Sequence, residues 1–97
     1  MAKYYLTKQA VDDLSAIWNY TLDTWSEKQA DAYYALLIAS CQEVAKKPSL
    51  GKEYNVVRDG LFGFKAGEHI LFYQVVSAHE IEVVRILHGM MDLRNAI

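Results

Sequence analysis

A chain of 97 residues has room for one domain, expected to span residues 1–97, and buries only about two-thirds of the surface its unfolded form exposes. Its formal charge of −2 is evenly spread: residues 1–55 carry six basic and seven acidic side chains, and residues 56–97 carry four and five. Neither half is a basic footprint, which argues against strong phosphate-driven binding of nucleic acid.

Tyr4 to Leu6 reads as a short β segment, and Thr7 is placed to cap a helix that starts at Lys8. Val11, Leu14, Trp18, Thr21 and Trp25 then recur at steps of three and four. Asp12 and Asp13 fall in the expected first turn, where the helix dipole favours carboxylates. Ser26 with Gln29 three residues on makes a capping box, and a second helix follows. It carries Ala30, Tyr33, Tyr34, Leu37, Ile38, Cys41, Val44 and Ala45 on one broad face, until Pro48 stops it. Two helices with almost no loop between them fold back as an antiparallel hairpin.

Beyond Gly51 the period becomes extended. Asn55 to Arg58 reads as a strand, Asp59-Gly60 as a turn, and Leu61 to Ala66 as a strand interrupted at Gly63. After a turn at Gly67-Glu68, Ile70 to Val76 is apolar on both parities, and Ile81 to His88 returns antiparallel. The sum is an α+β fold: β-α-α-β-β-β, a helical hairpin packed on one face of a small, mainly antiparallel twisted sheet. With Val84 and Ile86 facing the core, Arg85 and Leu87 point to the opposite face, which stays open. An arginine on a strand interior implies a carboxylate partner, a ligand or a binding surface.

Cys41 is the single cysteine, so no intrachain disulfide forms, and its place in an apolar stripe marks it as core. The N-terminus lacks a signal-peptide apolar region, and no window reaches the roughly 20 apolar residues of a membrane span. A soluble, cytoplasmic protein is expected.

Few residues suggest catalysis. There is no Gly-x-Ser-x-Gly elbow, no His-Glu-x-x-His and no phosphate-cradling glycine loop. His69, His79 and His88 with Asp92 match no metal-ligand spacing, so neither metal nor cofactor is expected. A metal-free ribonuclease needs cations and an acid–base pair, for which Arg58, Lys65, Arg85, His69, His88 and Tyr73 are the candidates. The seven tyrosines and two tryptophans point instead to surface used against a protein partner, or else to the filling of a thin core.

The order Tyr20-Thr21, Trp25, Gln29-Ala30, Tyr33, Pro48, Gly51, Arg58, Gly60, Phe64, Gly67 and His69 resembles the ParE toxins of the RelE/ParE superfamily. So do Leu71-Phe72-Tyr73, Arg85-Ile86-Leu87-His88 and Met91-Asp92, and the likeness covers nearly the whole chain. The resemblance implies a toxin of a type II toxin–antitoxin system, a non-enzymatic poison that traps the cleaved-DNA complex of DNA gyrase. It also implies a ParD-like antitoxin whose C-terminal segment is disordered until bound. On this reading Trp18, Trp25, Tyr33 and Leu87 anchor the antitoxin, while Arg85, His88, Met91, Asp92 and Arg94 meet the target. RelE-type relatives instead cut ribosome-bound messenger RNA, using basic residues and a C-terminal tyrosine. Here the segment from Gly89 to Ile97 has no tyrosine. One departure is Asn95 after Arg94, where ParE-like sequences often have histidine. The alternatives are a RelE-like endoribonuclease, or a non-toxic member that only binds an antitoxin.

Overall fold

The computed structural model describes residues 2–89. Strand β1 (Lys3–Leu6) leads into helices α1 (Lys8–Thr24) and α2 (Glu27–Lys46). A 3-10 turn (Pro48–Leu50) and strands β2 (Lys52–Glu53), β3 (Phe62–Ala66), β4 (His69–Ser77) and β5 (Glu80–His88) follow. The five strands form one sheet in the order β1-β5-β4-β3-β2. Only the β1–β5 pair is parallel. That pairing is possible because the whole hairpin of α1 and α2 lies between β1 and the rest of the sheet, and parallel neighbours need such a crossover.

Both helix starts are set locally. Thr7 Oγ1 accepts the Ala10 N–H at 3.1 Å, and its own hydroxyl donates to the Val84 carbonyl of β5 at 2.8 Å. One side chain thus caps α1 and joins it to the sheet. Ser26 Oγ accepts the Gln29 N–H at 3.1 Å and caps α2. The helices close one face of the sheet over Leu14, Leu37, Cys41, Val44, Leu71, Ile81, Val83 and Ile86. Tyr73 belongs to this core rather than to a catalytic surface. Its hydroxyl donates to the Pro48 carbonyl at 2.6 Å and accepts the Gly51 N–H at 3.0 Å, so it pins the 3-10 turn.

The opposite face is not open. Leu61, Phe72, Val84 and Leu87 are buried there, packed by Tyr54, Val57 and Ile70. The segment read as a strand, Asn55 to Arg58, is instead a turn: Val57 N–H and Arg58 N–H both donate to the Tyr54 carbonyl, and Tyr54 N–H to that of Leu61. The Asn55 side chain closes the loop by accepting the Gly60 N–H at 3.1 Å, with Gly60 at a φ of 75° that favours glycine. Segment 54–61 therefore serves as a second lid. A β4 that is apolar on both parities requires one, because either bare face would leave large side chains in water.

The facing of β5 also differs from strict alternation. Tyr73 pairs with Val83 but Phe72 with Arg85, so Val84 is an extra residue in the strand. The bulge puts Val84 with Leu87 on the loop side and leaves Ile86 on the helix side. Arg85 accordingly does not occupy an open face. Beyond Val83, where β1 ends, the outer edge of β5 is met by α1. Asp13 accepts from Arg85 Nε at 2.8 Å, from Arg85 Nη2 at 3.0 Å and from the Ile86 N–H at 2.9 Å. This pair is largely covered, with side-chain exposures of 22% and 15%. Because α1 starts at Lys8, no acidic residue lies in its first turn. Asp13 follows one turn later and caps a sheet edge instead of a helix.

Candidate functional site: an apolar cleft at the tip of the helical hairpin

At the end of the hairpin where α1 passes into α2, the helices diverge from the sheet around an open cavity of about 870 Å³. Ile17, Tyr20 and Trp25 line it from the first helix and its end, and Tyr33 and Leu36 from the second. Glu68, His69 and His88 close it from the sheet. Tyr20 and Trp25 are 68% and 69% exposed, unusual for such large rings without a partner. Its described lining carries no lysine or arginine.

The polar part of the cleft is a small network built on the β3–β4 turn. Tyr33 Oη accepts the Glu68 N–H at 2.9 Å and lies 2.6 Å from His69 Nδ1. Its other acceptor, the Ala66 carbonyl, is 3.5 Å away. Gly67 holds the turn at a φ of 60°, and a Cβ there would come within 2.7 Å of the Tyr33 ring. Glycine is thus required twice over, for the backbone and for the contact. The His69 ring stands edge-on to that of His88, with centroids 5.5 Å apart. Burial, then the neighbouring His88, lowers the His69 pKa from its ordinary value, while Glu68 and Asp13 oppose the shift. Burial likewise raises the Tyr33 hydroxyl.

The residues singled out from sequence divide between this cleft and other places. Trp25, Tyr33 and His88 meet in it. Trp18 and Trp25 are seven residues apart, which helical periodicity puts on one side. However, α1 ends at Thr24, and Trp25 leaves helical geometry with φ −123° and ψ −88°. Trp18 stays on the flank of the hairpin, where its Nε1–H donates to Asp31 at 3.0 Å in a separate depression beside Asn19 and Tyr34. Leu87, 3% exposed, is buried beneath segment 54–61, so it is core and not a surface anchor. Met91, Asp92 and Arg94 lie outside the described residues.

The candidates for metal and nucleophilic chemistry are scattered. His79 is at the β4–β5 turn, its Nδ1 3.2 Å from the Lys46 carbonyl, at the far end of β5 from His88. Among the described residues no three histidine, cysteine, aspartate or glutamate side chains come together as a metal site. Burial pushes the Cys41 thiol up to about 11, which keeps it protonated and unreactive. Of two further cleft residues, Tyr20 appeared in the sequence only as part of an ordered pattern, and Gln29 there and as the capping partner of Ser26. Glu68 was read only as part of the turn with Gly67, and Leu36 had no signal at all, since each joins the cleft only when the hairpin packs beside the sheet.

The comparisons agree with this architecture. The family model for "ParE toxin of type II toxin-antitoxin system, parDE" matches residues 4–93. The chain is 36% identical over 92 residues to Toxin ParE1 of Mycobacterium tuberculosis (strain CDC 1551 / Oshkosh), covering 95% of this chain and 94% of that protein. It is 33% identical over 94 residues to Toxin ParE1 of Caulobacter vibrioides, covering 97% and 96%. A solved structure described as the chromosomal ParDE TA system from P. aeruginosa superposes with a TM-score of 0.76 at 17% identity, covering 91% of this chain and 96% of that one, a likeness of fold. The shared family, the near-complete coverage and the β-α-α-β-β-β order with a fifth short strand together place this chain in the ParE toxin family of type II toxin–antitoxin systems.

Proposed function

We propose that this toxin arrests growth by binding DNA gyrase and trapping its cleaved-DNA complex, without catalysing a reaction of its own. We propose further that a ParD-like antitoxin neutralises it in the cytoplasm by seating an apolar segment in the hairpin cleft. The observation that carries the reading is the family match across residues 4–93. Geometry supports it in two respects. The cleft offers aromatic and aliphatic surface with two exposed large rings, the composition of a protein-binding patch. Arg85, the cation that a phosphate-handling surface would use, is engaged by Asp13 on α1. No described helix is long and apolar enough to cross a membrane.

Trp25 and Tyr33 are the antitoxin anchors in this reading, and His88 with Met91, Asp92 and Arg94 supplies the target contact. Purified toxin added to a gyrase supercoiling reaction tests the first part. Linear, protein-linked DNA is the expected product. Untouched supercoiling with cleaved ribosome-bound message assigns the toxin to ribonuclease action instead. Neither effect leaves an antitoxin-binding protein that is not toxic. For the cleft, Trp25 fluorescence that does not change when the cognate antitoxin binds removes it as the seat.

A further inference from the structure

A polar connection joins the two walls of the cleft, and it depends on where a proton sits. The Tyr33 hydroxyl already accepts from the Glu68 N–H, so its own hydrogen needs an acceptor. His69 Nδ1 at 2.6 Å is a far better one than the Ala66 carbonyl at 3.5 Å. Nδ1 is therefore the bare nitrogen of a neutral ring, with the proton on Nε2. A protonated ring has two donors and no acceptor. It would face the Tyr33 hydroxyl donor to donor, and the hydroxyl would have to turn to the distant carbonyl while accepting twice.

We propose that His69 is a proton-operated latch of the cleft: neutral, it ties α2 to the β3–β4 turn through Tyr33, and protonated, it competes with the Glu68 N–H for the Tyr33 oxygen, which loosens that turn and weakens the cleft's hold on its occupant. The groups facing it are Tyr33 from α2, Asp13 with its partner Arg85 from α1 and β5, Glu68 from the turn and His88 from β5. The two carboxylates favour the charged ring, whereas burial and His88 oppose it. Gly67 lies directly against the Tyr33 ring, so a turn loosened at Tyr33 moves the cleft wall itself. The regulatory part of this proposal rests on the reading of the cleft as the antitoxin seat; the latch does not.

The test follows amide exchange at Glu68, whose N–H is held by Tyr33, in the full chain between about pH 7.5 and about pH 5, where histidine titrates. Protection relative to intrinsic exchange should fall with the midpoint of the His69 ring, read by nitrogen NMR. In His69→Gln, whose side-chain carbonyl accepts from Tyr33 without titrating, protection should stay level with pH. Tyr33→Phe should lose it at every pH, and His88→Gln should move the midpoint upward. Antitoxin affinity should fall by up to about tenfold per pH unit below that midpoint in the parent, for one proton, and stay flat in His69→Gln. A Glu68 amide equally protected once His69 is charged overturns the latch, as does an acid loss that persists in His69→Gln. Flat antitoxin binding beside an amide that follows His69 leaves the latch standing and overturns the cleft as the seat.

Discussion

Removing the Asp13 carboxylate tests how the sheet edge is closed. Asp13→Ala takes one acceptor from three donors: Arg85 Nε, Arg85 Nη2 and the Ile86 N–H. The Ile86 amide belongs to a residue only 2% exposed, and its strand neighbour β1 has already ended at Leu6. A buried amide losing a charged acceptor costs about 1.5–3 kcal/mol. The ion pair is partly open to solvent, so its loss adds only about 1 kcal/mol. The expected total is about 3 kcal/mol, which lowers Tm by about 12–24 °C in a domain of this size. Arg85→Met should cost less, about 1 kcal/mol, because Asp13 still holds the Ile86 amide. Thermal and urea unfolding of both single variants and the double variant supply the assay. The two effects should fall short of adding, with a coupling of about 0.5–2 kcal/mol. An Asp13→Ala protein that melts with the parent, or two strictly additive effects, would refute the edge-cap account.

Four further outcomes are expected. Leu87→Ala should destabilise by about 2–4 kcal/mol through the cavity left under segment 54–61, seen as a lower urea midpoint, while antitoxin affinity of the folded fraction is unchanged. Trp25→Ala should do the reverse, with less than about 1 kcal/mol lost in unfolding and at least about tenfold weaker antitoxin binding by calorimetry. Arg94→Ala should reduce growth arrest on induced expression with an unaltered circular dichroism melt, and full arrest would remove that residue from the target contact. His69 makes stability depend on pH. Its folded pKa lies below the ordinary 6.5, so the unfolded chain takes up the proton first as pH falls. The stabilisation is complete above about pH 6.5 and is lost as pH drops through the folded value, and His69→Gln should flatten that part of the profile.

Much of the fold was legible from the order of residues. The helix starts at Thr7 and Ser26, the stop at Pro48 and the hairpin turn at Gly67 are short-range effects, in which the deciding partner lies within a few positions. The candidate site was legible only in part. Trp25 and Tyr33 were found, but pairing Trp25 with Trp18 relied on a helix that ends one residue too soon. Leu87 was assigned to the surface because the segment that covers its face of the sheet, residues 54–61, read in part as a strand and not as a lid.

The sequence by itself determined the class of fold and the family, because periodicity, caps and an ordered set of residues spread over the chain are properties of the string. Tertiary structure alone decided where Arg85 points, what covers the second face of the sheet and where the cleft opens. Asp13 and Arg85 are 72 residues apart, and Leu87 is covered by segment 54–61, which is distant from it in the chain. Those contacts depend on a one-residue bulge and on the angle at which a hairpin leaves a sheet, quantities set by packing of the whole chain and carried by no short stretch of it.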